Sequence, residues 1–85
     1  MNQASFQPES RISKDVIEDI GIFIPLDAVA FYTEKDMIVF CLRILDEMGD
    51  AIVYLEEFME YDLTELQVEK LKAANCYGTK GWILE

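Results

Sequence analysis

Nine carboxylates lie between Arg43 and Lys70 with no basic residue among them: Asp46, Glu47, Asp50, Glu56, Glu57, Glu60, Asp62, Glu65 and Glu69. Carboxylates at such spacing can hold a metal ion, move protons, or act together as a field. The first two uses find little support. Asp46, Glu47 and Asp50 lack the D-x-[DN]-x-[DN]-G register, with its distal Glu, of a calcium loop. No metal site is expected. Paired carboxylates for glycoside chemistry need a cleft, for which 85 residues leave little room. General acid–base work would have to proceed without histidine, because the chain has none. For the same reason Cys41 and Cys76 lack the usual base that would make either a nucleophile. Gly78-Thr79-Lys80-Gly81 falls short of the G-x-x-x-x-G-K-[ST] phosphate loop and reads as a turn with a solvated lysine. No catalytic residue, cofactor or enzymatic activity is therefore expected.

The field is what remains. These nine carboxylates are over half of the 17 acids, against seven lysines and arginines, and the formal net charge is -10. A surface of that sign repels nucleic acid and anionic membranes and attracts basic protein surfaces. Carboxylates spread over a surface can imitate a phosphate backbone, which in duplex DNA carries one charge per ~1.7 Å of axis. The bland alternative is a solvated face, although a net charge of about 2–8 in magnitude normally suffices for solubility in a small domain. The expected function is a small, acidic, non-enzymatic inhibitor of a nucleic-acid-processing protein. It would resemble anti-restriction, anti-CRISPR or toxin-immunity proteins, some of them carried by phages and mobile elements, in composition alone. The nine carboxylates would form its partner-binding surface. The alternative is a homodimeric adaptor or accessory module held by apolar contacts.

The elements that must position these groups belong to one domain. At 52% hydrophobic and 12% aromatic residues, the chain is too apolar for a disordered acidic tail. Residues 1–11 are polar, contain Pro8, and read as a flexible arm before a single domain over residues 12–85. They have no apolar stretch of signal-peptide type, and no run approaches the ~18 apolar residues of a membrane span. With two cysteines outside any C-x-x-C pair, reduced thiols and a cytoplasmic setting are expected.

The pattern predicts an α+β fold. Ile12, Val16, Ile17 and Ile20 share one helical face, and Gly21 is placed to stop that helix. Residues 27–33, 37–45 and 51–58 read as a three-stranded antiparallel meander. Asp46 to Asp50 form the hairpin loop, where Gly49 is free to take positive φ. A competing reading caps a helix at Thr33 and carries it to Gly49. The strand reading is preferred because residues 37–45 would make a helix apolar nearly all round. Asp62 with Glu65 predicts a capped helix over residues 63–74, with Leu63, Leu66, Leu71 and Ala74 as its stripe and Asn75 as its stop. Trp82 to Leu84 read as a short final strand. Trp82, beside Tyr77, is either an exposed binding residue or core, and core is the commoner place for an aromatic in so small a domain. Apolar residues of both parities in residues 37–45 imply a sheet covered on both faces, by the two helices or by a second subunit.

Overall fold

A computed structural model of the chain describes Pro8 and residues 10–42, 44–46, 53–55 and 57–85. In chain order the elements are β1 (Ser10–Ile12), α1 (Lys14–Asp19), β2 (Ala30–Glu34), β3 (Met37–Cys41), β4 (Ile44–Asp46), β5 (Val53–Leu55), β6 (Phe58–Asp62), α2 (Glu65–Ala73) and β7 (Trp82–Leu84). The fold is α+β, with a five-stranded mixed sheet in the order β1-β7-β2-β3-β6 and a separate β4–β5 pair. The final strand enters the sheet interior, parallel to β1 and antiparallel to β2.

This order is not the expected meander, and three expectations are corrected. The first concerns the arm: Ser10 and Arg11, expected to lie in a flexible segment, are part of β1 and pair with Trp82 and Ile83. The strand claims Ile12 as well, so α1 starts only at Lys14, capped by Ser13, whose Oγ accepts from the Asp15 amide at 3.2 Å. Second, the partner of residues 37–45 does not end at Phe58. Cys41 faces Phe58 and Met37 faces Asp62, so β6 carries the ladder beyond Phe58 to Asp62. The same register continues through the Leu42 amide bonded to the Glu57 carbonyl, and on to Ile44 opposite Leu55 and Asp46 opposite Val53. The hairpin expected around Gly49 has paired arms, but Asp46, expected in its loop, belongs to β4 opposite Val53; Gly49 itself lies outside the described residues.

Third, the expected cap of the second helix is displaced. Asp62 is occupied as the last residue of β6, and the buried Leu63 turns the chain by donating its amide to the Asp36 carbonyl at 2.6 Å. The cap falls two residues later, where the Thr64 hydroxyl accepts from the Gln67 amide at 3.1 Å and the Gln67 side chain accepts from the Thr64 amide at 3.0 Å. This reciprocal box has the form expected from Asp62 and Glu65 but uses neither of them. The apolar stripe shifts with it: Val68 and Leu71 are buried while Leu66 is 59% exposed. The two helix stops are where the sequence placed them, with Gly21 at φ 92° and Asn75 at φ 59°.

Both helices lie on one face of the sheet. Ile17 and Ile20 of α1, Val68 and Leu71 of α2, and Phe31, Ile38, Phe40, Trp82 and Leu84 of the sheet form a single buried cluster. Trp82 is core, stacked on Phe31 with ring centroids 5.6 Å apart. Ala30, Val39 and Cys41, of opposite parity, are buried outside that cluster. Among the described residues no helix is long and apolar enough to cross a membrane.

Candidate functional site

The acidic belt is divided by the fold. Residues paired directly across strands share a face, so Phe58, Glu60 and Asp62 project from the side opposite the helices, next to Cys41, Val39 and Met37. Glu57, opposite Leu42, falls on the other parity and lines a shallow concavity with Lys14, Leu26, Asp27, Ala28 and Val29. Glu65 and Glu69 stand one helical turn apart on the exposed side of α2. The structure thus brings Glu60 and Asp62 together, and Glu65 and Glu69 together, and puts Glu57 on a different face from the first pair. Asp46 is the last residue of β4, while Glu47, Asp50 and Glu56 lie outside the described residues.

Glu57, Glu60, Asp62, Glu65 and Glu69 are all exposed. Among the described residues none of them is in an ion pair. Two described cations are engaged elsewhere: the Lys72 ammonium sits 5.0 Å over the Tyr77 ring and that of Lys80 lies 5.3 Å over Trp82, while Lys14 shares a concavity with Glu57 and Lys35 a hollow with Asp62 without an ion pair. Negative charge on β6 and the first turns of α2 is therefore separated from positive charge at the C-terminal end of α2. Cations there suit the helix dipole, and Glu65 suits its other end. The charge behind the sheet reaches its neighbours. Burial, then Cys41, Glu34 and Glu60, push the Tyr32 phenol above its ordinary value.

The other candidates resolve as structure. Cys41 and Cys76 are free and buried. Burial pushes the Cys41 thiol up to about 12, so neither the charge state nor the access needed for a nucleophile is present. Among the described residues no group of three or more Asp, Glu or Cys side chains could hold a metal ion. The would-be phosphate cradle is tied down. The Gly78 amide donates to the Thr33 hydroxyl at 2.6 Å, and the Gly78 carbonyl accepts from the Thr33 amide at 2.9 Å. An amide held by a buried threonine is not available to an anion.

Sequence reasoning missed one exposed feature. Phe23 is 77% and Leu26 92% exposed on the connection between α1 and β2. The signal was present in Pro25, which forces an extended approach and a turn, closed by the Ala28 amide on the Pro25 carbonyl at 3.0 Å. That turn buries Ile22 and Ala28 and leaves Phe23 and Leu26 outside.

No protein-family model, curated protein or solved structure matches this chain.

Proposed function

We propose that this protein is a small non-enzymatic inhibitor that docks on a basic surface of a nucleic-acid-processing protein, its carboxylates taking the place of phosphates. One observation carries the reading: exposed carboxylates on β6 and α2 have no compensating ion pair among the described residues. An uncompensated field of this kind costs stability through self-repulsion, and it accelerates and orients encounter with a cationic partner. The division of the belt between faces limits the contact. Glu60 and Asp62 can meet one surface while Glu57, and Glu65 and Glu69 on the helix layer, meet another, so the proposal centres on β6. Anti-restriction, anti-CRISPR and toxin-immunity inhibitors are the classes such chemistry fits, and a cytoplasmic setting suits the buried free thiols.

The test is capture from cell extract on the immobilised protein, with elution by rising salt. Release of a basic nucleic-acid-binding protein at moderate salt, competed by DNA or RNA, is the expected result. Charge reversal at Glu60 and Asp62 should abolish that capture. Undiminished capture by the reversed variant would remove the proposal. A second reading, a homodimeric adaptor held by apolar contacts, draws on exposed Phe23, Leu26 and Leu66. Its association would persist in salt, because apolar burial is not screened.

A further inference from the structure

We infer that the outer edge of β6 accepts an extended basic peptide, antiparallel, as an added strand of the sheet. Among the described residues β6 is the last strand in the order, bonded to β3 on one side only. Two backbone bonds at its ends fix which groups point inward: Leu42 to Glu57 at 2.9 Å and Leu63 to Asp36 at 2.6 Å. In an antiparallel ladder the inward residues alternate, so Glu57, Met59, Tyr61 and Leu63 bond toward β3. The N–H and C=O of Phe58, Glu60 and Asp62 then point away from the sheet. Among the described residues nothing bonds them. A row of outward donors and acceptors over five residues, about 17 Å long, is a template for strand addition.

The side chains along this edge select what can be added. A residue laid directly opposite Glu60 or Asp62 places its side chain on the same face, a few ångströms away. Opposite charge there is favourable and like charge unfavourable, so the matching positions of the incoming strand are lysine or arginine. The intervening positions fall beside Met59, 40% exposed, and Tyr61, and suit aliphatic residues. A second copy of β6 fits poorly: in the register that sets Phe58 against Asp62, Glu60 would oppose its own counterpart. The same acids that guard the edge against self-association thus admit a strand of alternating basic and apolar residues. This inference rests on the acidic-inhibitor reading and specifies how part of a basic partner would be held.

The probe is a capped eight-residue peptide alternating lysine and valine, titrated into the 15N-labelled full chain at low salt. A second peptide of the same sequence carries N-methyl groups on the lysine amides, the ones that would face β6, and keeps every charge. The expected result is slowed exchange of the Glu60 and Asp62 amides with the first peptide, and affinity lower by about tenfold or more for the second. Glu60→Gln, which leaves the edge intact, should weaken the first peptide by about two- to fivefold. Equal binding of both peptides would overturn the added strand and leave the electrostatic reading standing. Binding of neither, with salt-sensitive capture of a basic protein intact, would do the same; with no such capture, both fall. Slow exchange of the Glu60 and Asp62 amides in the free protein would also overturn the inference, since the edge would already be taken by this chain or by a second copy.

Discussion

The two faces of the five-stranded sheet bury side chains of different size and leave different rims. On the helix side, Phe31, Phe40 and Ile38 are fully shielded, and Trp82 is nearly so. The aromatic rings meet in tilted and edge-on pairs: Phe31 with Phe40 at 6.1 Å, and Phe40 with Tyr61 at 6.0 Å. On the other side the shielded residues, among those described, are small: Ala30, Val39 and Cys41. Around them stand half-buried Tyr32 and Ile83, exposed Phe58, and the carboxylates of Glu34, Glu60 and Asp62. The difference teaches how one strand serves two environments. In β3, alternate residues supply the large side chains of one core and the small ones of the other face, so a nearly continuous apolar run need not mean two equal layers. Both helices went to the face with the larger side chains, where more apolar area is removed from water.

The contrast is broken most directly by truncating neighbours of opposite parity. Phe40→Ala should cost about 3–5 kcal/mol, because its ring is fully buried in the cluster that both helices and the sheet build. Val39→Ala, one residue away, should cost about 1–2 kcal/mol. Urea denaturation of the two variants checks this. Equal losses would mean that the second face is as tightly packed as the first.

The two thiols make the same comparison titratable. Cys41 lies behind the sheet and Cys76 within the helix-covered cluster. Burial raises the Cys41 thiol from 9.0 to about 12, and raises that of Cys76 as well. Unfolding releases both to ionise near the ordinary value, so above about pH 9 the unfolded chain binds fewer protons than the folded one. The Cys41 contribution to stability is complete below that pH and is lost as pH rises toward about 12, with a slope of up to about 1.4 kcal/mol per pH unit, and Cys76 acts in the same direction. Denaturation followed from about pH 8 to about pH 11 should show a shallower decline in Cys41→Ala than in the parent. An unchanged slope would mean that water reaches Cys41.

Thr33 is the polar exception among the large side chains. It is fully buried, and its hydroxyl accepts from the Gly78 amide. Thr33→Val keeps the shape and strands that amide, at a cost of about 1–3 kcal/mol and with faster exchange of the Gly78 amide by NMR. The smallest effect is expected on the outer side of α2. Glu69→Lys replaces an i,i+4 repulsion with Glu65 by an attraction and should raise stability by a few tenths of a kcal/mol, an effect lost in high salt. If the gain survives high salt, charge is not its source.

Much of the local structure was legible in the residues. Gly21 and Asn75 marked helix ends because few residues tolerate positive φ there. The arms of the hairpin were readable from β-branched and aromatic runs around a polar, glycine-containing break. Even the extension through β6 had a signal, since in Phe58 to Asp62 the residues on the helix side of the sheet, Met59 and Tyr61, alternate with Glu60 and Asp62. The cap at Thr64 was harder to find, because Asp62 and Glu65 offer the same pattern two residues earlier. Only the ladder, which keeps Asp62 opposite Met37, excludes them. The candidate site was legible as a list of acids but not as a surface, because linear order cannot show that Glu57 and Glu60 face opposite ways until the strand and its register are known.

The sequence by itself determined the charge, the absence of histidine, the alternation of the strands and the stops of the helices, all properties of composition or of a few neighbouring residues. The tertiary structure decided the rest. It drew Ser10 and Arg11 into a strand beside a segment over seventy residues away, put both helices on one face, buried Trp82 and left Phe23 and Leu26 in solvent. It also left one strand with its backbone turned outward between carboxylates. These outcomes depend on which surfaces meet across long stretches of chain, and that choice is set by the total apolar area buried and the backbone groups satisfied, quantities that no local window of residues contains.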